Sequence, residues 1–290
     1  MIKIIHKQVI AQDIKKIDML AEAIAQRCLP GQFVMVTPAL GDPDIPLTIV
    51  DHDPRRGSIS LIVHETDQAS RKLADIPIGE GPYQVLGPLG KGAEIDKYGL
   101  VVCVATGIGA SQILPVCRGL KKKGNKIIGV IGAKSKKVLM LESQMRVVCD
   151  EIFIATNDGS YERKGLASEL LKELLNKYPV SRIYAIGSLE MMQAACRMAR
   201  DKNIPVRVTV SPAMMNGLGL YGTGRIKING EYRIACTDGP EFDGHLVDFR
   251  DLSRRMNELE SKWADQPHLI SPKKPGFKTF VKSLWGSVKK

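Results

Sequence analysis

Four short segments of this 290-residue chain carry residue types suited to holding a phosphorylated ligand. The first is Ala105-Thr106-Gly107-Ile108-Gly109-Ala110-Ser111, which follows an apolar run and opens a helical pattern. Gly107 and Gly109 lack side chains, so the backbone there can approach a diphosphate, and the start of the following helix favours an anion. The second is Gly132-Ala133-Lys134-Ser135, where a cation and a hydroxyl suit a ribose 2′-phosphate. The third is Thr156-Asn157-Asp158-Gly159-Ser160-Tyr161, and the fourth is Gly187-Ser188-Leu189-Glu190-Met191. Each also has a plainer reading. The glycine pair serves equally as a tight strand-to-helix turn. Lys134 fits a solvated lysine beside Lys136 and Lys137, and Asp158-Gly159 fits a simple turn. Recurrence after successive strands favours a dinucleotide site over any one segment taken alone.

The elements that must carry these loops are readable from hydrophobic pattern. Residues 100–104, 127–131, 151–156, 183–186 and 206–210 are short apolar runs, and helical patterns fill the intervals through 119 and over 139–149, 164–177 and 189–202. Five apolar strands alternating with helices predict a parallel, doubly wound sheet. That sheet puts the loops at strand C-terminal ends, where open α/β sheets bind ligands. The first hundred residues read differently. Strands are predicted over 31–36, 47–52 and 58–63, with residues 53–57 turning the last two into a hairpin. Their spacing and the lack of a long helix predict a small antiparallel barrel. Residues 214–249 are Gly-rich and polar, 251–264 form a polar helix, and a lysine-rich tail follows. No internal repeat is evident.

Composition narrows the classes further. With 44% apolar and 25% charged residues the chain is too apolar to be disordered, and the length predicts roughly two domains. No apolar run reaches the ~20 residues of a membrane-spanning helix. Met1-Ile2-Lys3-Ile4-Ile5 has no cleavage site, so no signal peptide is expected. Cys28, Cys103, Cys117, Cys149, Cys196 and Cys236 show no CxxC spacing, which argues against a disulfide framework or a zinc site and for the cytoplasm. Cys103 sits in an apolar run as a small hydrophobe. The net charge of +11 suggests an anionic partner. Six of those charges are Lys273, Lys274, Lys278, Lys282, Lys289 and Lys290, which leaves +5 over the first 270 residues. In the same tail Phe277, Phe280, Val281, Leu284 and Trp285 fall on one helical face. A basic helix of this kind suits an anionic membrane surface or a partner's groove, and it also fits a helix packed on its own domain or a frayed end. The protein is thus expected to be cytoplasmic, either peripheral to the membrane or held in a large complex. No basic patch interleaved with aromatics lies within the folded part, so nucleic acid is not an expected partner.

Several motifs occur together and in order. They are Ile45-Pro46-Leu47-Thr48, Gly87-Pro88-Leu89-Gly90, the Gly-Ile-Gly turn, Asn157-Asp158-Gly159-Ser160-Tyr161 and Asp238-Gly239-Pro240-Glu241-Phe242-Asp243-Gly244-His245. In this combination the chain resembles the small FAD-binding electron-transfer subunit of electron-bifurcating NADH-dependent ferredoxin–NADP reductases. It is similar also to the electron-transfer subunit of dihydroorotate dehydrogenase, within the ferredoxin–NADP reductase-like group. The resemblance covers residues 1–255. It implies a flavin-binding antiparallel six-stranded barrel over 1–98, an α/β NAD(P)-binding domain over 99–212, a small iron–sulfur-type subdomain over 213–250, and a C-terminal helix and tail over 251–290. Pro46, Leu47 and Thr48 then lie along the flavin ring, with the Thr48 hydroxyl toward the ring nitrogen that handles hydride. Ala69 and Ser70 start the helix that caps the FAD diphosphate, and Gly87, Pro88, Leu89 and Gly90 close the flavin site. Gly107 and Gly109 match the diphosphate turn of the nicotinamide nucleotide. Lys134 and Ser135 fall where relatives often carry Arg-Ser, and Asn157, Asp158, Gly159 and Gly187 line the same cleft. No residue is singled out as catalytic. The implied partner is a larger flavin and iron–sulfur oxidoreductase subunit.

The departures from that family matter as much. Its 2Fe–2S cluster is held by Asp or Cys, Cys-x-x-Cys and a last Cys, but here Asn216, Tyr221 and Gly224 occupy the first three positions and only Cys236 remains. Iron–sulfur ligation needs anionic thiolates, with occasional His or Asp, so the cluster is expected to be absent and the subdomain vestigial. Cys236 reads equally as a leftover buried thiol. Asp44 replaces a common Arg, and Asp67 replaces a common Gly, at the FAD diphosphate. Two functions follow as expectations. One is an electron-transfer subunit exchanging hydride between NAD(P)(H) and FAD without its own cluster. The other is a non-catalytic scaffold or nucleotide-sensing paralogue that docks a redox partner.

Overall fold

The computed structural model describes residues 2–211, 217–219, 222 and 224–265, with side chains described as far as residue 258. Asn216, Tyr221 and the tail over 271–290 lie outside the described residues.

β1 (Lys3–Ala11), β2 (Ile14–Leu20), β3 (Phe33–Thr37), β4 (Ile45–Asp53), β5 (Ser58–His64) and β6 (Gln84–Leu89) form an antiparallel six-stranded sheet in the order β1-β2-β5-β4-β3-β6. It curls around a core that includes Ile4, Met19, Val34, Val36, Leu61 and Leu73. The expected barrel has an open seam. No ladder joins β6 to β1; instead the Ile4 amide donates to the Glu80 carbonyl at 2.7 Å and the Gly79 amide donates to the Ile4 carbonyl at 2.8 Å. The predicted hairpin over 53–57 is present. Asp53 Oδ1 accepts from the amides of Arg55 and Arg56 at 2.9 and 3.1 Å, an Asx turn between β4 and β5. Two helices complete this half, α1 (Glu22–Ala25) and α2 (Gln68–Asp75).

The second sheet contains β7 (Leu100–Thr106), β8 (Lys126–Ala133), β9 (Glu151–Thr156), β10 (Arg163–Lys164), β11 (Arg182–Ile186) and β12 (Val206–Thr209). All of these run parallel. Helices α3 (Gly109–Lys122), α4 (Glu142–Val148), α5 (Ala167–Lys177) and α6 (Leu189–Asp201) connect the strands. Along β7, Val101, Cys103 and Ala105 join the core beneath α3, while Val102 and Val104 join the core beneath α5 and α6. A strand buried on both faces has no polar side to show, which is why these runs are wholly apolar.

Three local departures from expectation have local causes. The 139–149 helix starts late, at Glu142, because Lys136–Val138 forms a 3-10 turn and Leu141 is held at φ +59°. The 164–177 helix starts at Ala167, since Arg163-Lys164 pair with Ala155 and Thr156 as β10. The segment after 214 contains regular structure that was not expected: a hairpin of β13 (Arg225–Ile228) and β14 (Glu231–Ile234), then α7 (Ala235–Asp238) and β15 (Glu241–Asp243), which pairs antiparallel with β12. The chain continues as α8 (Phe249–Asp265).

The second sheet runs β10-β9-β8-β7-β11-β12-β15. From β7 the chain winds outward through β8 and β9, then returns to β11 on the other side, so the order reverses between β7 and β11. α3 sits beside that reversal and joins the two sheets. Ile14, Val50 and Ile62 of the first sheet share a core with Ile113, Leu114 and Cys117 of α3. Arg118 of α3 donates to the Val50 carbonyl at 3.3 Å and pairs with Asp51 at 2.8 Å. Among the described residues no helix is long and apolar enough to cross a membrane, and all six cysteines are free and buried.

Candidate functional site

The reversal between β7 and β11 is a topological switch point, the place where doubly wound sheets open a crevice. Its walls are close. The Ser188 amide donates to Thr106 Oγ1 at 2.9 Å, tying the end of β11 to the end of β7. A Cβ on Gly187 would collide with Thr106 Oγ1 and lie 2.9 Å from both the amide and the carbonyl of Thr106. A Cβ on Gly109 would press on the Ile186 carbonyl. Only glycine permits this approach. The Gly107 amide donates to the Gly132 carbonyl at 3.1 Å, which brings in the end of β8. No side chain caps α3; in its first turn the Ala110 and Ser111 amides donate to the Gly107 and Ile108 carbonyls at 3.1 and 3.0 Å. By contrast, the Ser188 hydroxyl caps α6, accepting from the Met191 amide at 3.3 Å.

The remaining nucleotide-type residues follow along the same sheet edge. Lys134 is exposed and Ser135 half-buried after β8, and Asn157, Asp158 and Gly159 are exposed after β9. The Asn157 amide donates to the Ala133 carbonyl at 3.0 Å, and the Lys136 amide donates to Ser160 Oγ at 2.8 Å. Asp158 accepts from the Ser160 hydroxyl at 2.7 Å and its amide at 2.9 Å, and these bonds hold its carboxyl below the usual range. The Lys136 ammonium lies 4.6 Å from the centre of the Tyr161 ring. The four loops read from sequence thus share one edge, with Lys134 near its outer end.

A cleft opens between the first sheet and the start of α3, with about 520 Å³ of empty space continuous with solvent. Pro46, Leu47, Thr48 and Ser70 line one side; Ile108, Ser111 and Gln112 line the other. Ile62, Val63, His64 and Thr66 complete it. Burial pushes the His64 imidazole below its ordinary pKa; Lys134 acts in the same direction, and Asp13 and Glu65 act against it. His64, Thr66 and Gln112 were not anticipated. Their signal was positional: the end of β5, and the first turn after the glycine pair. Ala69 is a buried residue of α2 and does not line the cleft. Gly87, Pro88, Leu89 and Gly90 also lie elsewhere. Register places Leu89 beside Phe33, which faces Thr48, so Leu89 is two strands from the cleft wall. Gly90 packs on the Gly239 carbonyl and Pro240, and the Lys91 amide donates to Gly239 at 2.6 Å. This stretch joins the first sheet to the turn before β15.

The fit to FAD divides along the ligand. An apolar wall edged with hydroxyls and an amide suits a flavin ring. The diphosphate side does not fit. Asp67 caps α2, accepting from the Ser70 amide at 2.8 Å, while the Ser70 hydroxyl accepts from the Asp67 amide at 3.0 Å. Asp44 accepts from the Thr37 hydroxyl at 2.6 Å, and Lys72 is paired with Asp42 at 2.8 Å. The fit to a 2Fe–2S cluster is poor in donor chemistry. Gly224 offers no ligand atom, which leaves Cys236 as the one thiol among the described residues at the expected ligand positions.

No family model matches the chain. It is 31% identical over 260 residues to the Thermotoga maritima dihydroorotate dehydrogenase B (NAD(+)) electron transfer subunit homolog, covering 90% of this chain and 92% of that protein. It is 31% identical over 265 residues to an uncharacterized protein of the adh 3′ region of Clostridium beijerinckii, covering 88% and 90%. Among solved structures, a chain from the NADH-dependent reduced ferredoxin–NADP oxidoreductase, solved in a study of flavin-based electron bifurcation, superimposes with a TM-score of 0.84 at 28% identity, covering 93% of this chain and 98% of that one. Plasmodium falciparum ferredoxin–NADP+ reductase shares the fold at a TM-score of 0.55 and 14% identity, covering 71% and 94%. By sequence, and on a ferredoxin–NADP reductase-like fold, the chain belongs to the family of dihydroorotate dehydrogenase B electron transfer subunits and their homologues.

Proposed function

We propose that this chain is the nucleotide-handling electron-transfer subunit of a larger redox complex. It binds NAD(P)(H) at the switch point, receives a flavin ring in the adjoining cleft, exchanges hydride between them and passes electrons to a larger flavin and iron–sulfur partner. One observation carries this reading: Thr48 of the first sheet and Ile108, Ser111 and Gln112 of the glycine turn and α3 line one cleft. A bound flavin supplies the redox chemistry there. The protein's share is placement. The uncapped start of α3 holds the nucleotide diphosphate, Lys134 and Ser135 hold a ribose phosphate, and Asn157, Asp158, Gly159 and Gly187 shape the groove. Thr48 presents a hydroxyl to the edge of the ring, and Ile108 keeps water from the junction. The chain carries no 2Fe–2S cluster of its own, so electrons leave directly from the cleft to the partner. Its units are 1–98, 99–212, 213–250 and 251–290, and the basic tail over 271–290 attaches the protein to its partner or to an anionic membrane surface.

A second reading is a scaffold or nucleotide sensor without redox turnover, favoured by Asp44 and Asp67 at the expected diphosphate position. Anaerobic titration of the purified full-length protein with NADH and NADPH, in the presence of added flavin, separates the two. Protein-dependent bleaching of the flavin absorption band supports the electron-transfer reading. Nucleotide binding with bound flavin and no bleaching supports the sensor. Iron and acid-labile sulfide at stoichiometric levels would overturn the absence of the cluster.

A further inference from the structure

The two helix starts that border the cleft are built in opposite ways. α3 begins without any side-chain cap, beside the glycine turn. α2, whose Ser70 also lines the cleft, begins with a complete capping box. There the Asp67 carboxylate takes the Ser70 amide at 2.8 Å, and the Ser70 hydroxyl takes the Asp67 amide at 3.0 Å. Donors that a phosphate would use at a helix start are thereby occupied, and the occupant is itself an anion.

The surroundings offset that charge only in part. Asp42 and Asp44 stand on the loop between β3 and β4, next to the cleft residues Ile45 and Pro46. Asp42 has a side chain only 5% exposed and holds Lys72 of α2 at 2.8 Å, so this lysine is engaged. Asp44 is held by the Thr37 hydroxyl at 2.6 Å. The lining of the cleft contains no lysine and no arginine. Its polar members, among them Thr48, Thr66, Ser111 and Gln112, are uncharged donors and acceptors. A partly enclosed site with Asp44 and Asp67 beyond its lining, the Asp42 charge paired with Lys72, and no lysine or arginine in the lining is complementary to an uncharged, planar, apolar ring with polar edges.

We infer that the cleft grips a flavin by its ring alone, as an exchangeable ligand, and that the charges of Asp44 and Asp67 cancel what its phosphates would gain at the start of α2. This rests on the flavin reading proposed above and narrows it: the chain holds riboflavin, FMN and FAD with similar strength.

The test is equilibrium quenching of riboflavin, FMN and FAD fluorescence by the purified full-length protein. Three dissociation constants agreeing within about threefold are expected. The double variant Asp44→Asn/Asp67→Asn keeps an N-cap former at position 67 and removes both charges. It is expected to bind FAD about tenfold more tightly while riboflavin binding stays unchanged. Urea unfolding of the variant confirms that it remains folded. FAD that copurifies one-to-one, or that binds wild type about tenfold more tightly than riboflavin, would overturn the inference and leave the flavin reading standing. So would a double variant, folded, with unaltered FAD affinity. Failure of all three flavins to bind would remove the flavin reading itself, and the inference with it.

Discussion

Gly187→Ala is the sharpest single perturbation of the switch point. A methyl group at this position meets Thr106, with the amide and carbonyl of that residue each 2.9 Å away. These are backbone atoms of β7 and cannot rotate aside. Overpacking of this kind costs about 1–3 kcal/mol. The backbone at Gly187 has φ +148°, a region that costs a residue with a side chain about 1–3 kcal/mol. Relief by separating β7 from β11 breaks the Ser188 amide bond to Thr106 Oγ1, worth about 0.5–1.5 kcal/mol. The contributions share one displacement and do not simply add, so about 3–5 kcal/mol is expected, out of a typical stability of about 5–15 kcal/mol. Gly124→Ala is the control. It also has a positive φ, +82°, but a Cβ there meets nothing within 4 Å. It isolates backbone strain at about 1–2 kcal/mol. The assay is urea unfolding of both variants and wild type, with NAD(P)H binding followed by its fluorescence. Gly187→Ala should lose far more stability than Gly124→Ala and should bind nucleotide more weakly. If it is no worse than the control in both measurements, close approach at the switch point is not what demands glycine.

Lys134→Ala should weaken NADPH binding by about three- to tenfold, the modest range reflecting an exposed cation, and leave NADH nearly unchanged; an equal effect on both nucleotides would remove Lys134 from the ribose phosphate. Glu241 has a side chain only 6% exposed, and burial pushes its pKa up against the opposing pull of the Glu94 amide and Arg207. The folded state therefore holds this proton more tightly than the unfolded chain does. The stabilisation is complete below the ordinary value of 4.5 and is lost as pH rises through the raised one. Denaturation across the acid range should show this step in wild type relative to Glu241→Gln, and parallel profiles would refute it. Deleting residues 271–290 should reduce sedimentation with anionic vesicles or capture of the larger subunit, and no change in either would discard the attachment role.

What the sequence revealed follows from burial. Val101 to Val104 read as a strand because both faces of β7 are covered, leaving no polar alternation to confuse. β1 was missed because Ile4 is its one fully buried residue, while Lys3, His6, Gln8 and Val9 are exposed and the rest only half-buried. The β13–β14 hairpin had a legible signal, Asn229-Gly230 between Arg225-Ile226-Lys227-Ile228 and Glu231-Tyr232-Arg233-Ile234, obscured by the surrounding glycines. β15 has three residues and depends on β12 for its existence.

The cleft was only half legible, for a different reason. Its glycine turn is local in sequence, but Thr48, His64, Ser70 and Gln112 meet only because α3 packs on β4 and β5. Asp67 shows how far a residue's type can mislead without its bonds. Against the family pattern it reads as a negative charge put in place of a glycine beside a phosphate. In the fold it is also an N-cap, and Asp67-Gln68-Ala69-Ser70 has the spacing of a capping box. These two roles are linked. A helix start with a full capping box is stable without a ligand, whereas α3 starts with no side-chain cap, its Ala110 and Ser111 amides turning back to the Gly107 and Ile108 carbonyls at 3.1 and 3.0 Å. The chain caps α2 with its own side chains and leaves α3 without a side-chain cap, and the proposed division of the cleft, phosphate on the nucleotide side and ring on the other, rests on that difference.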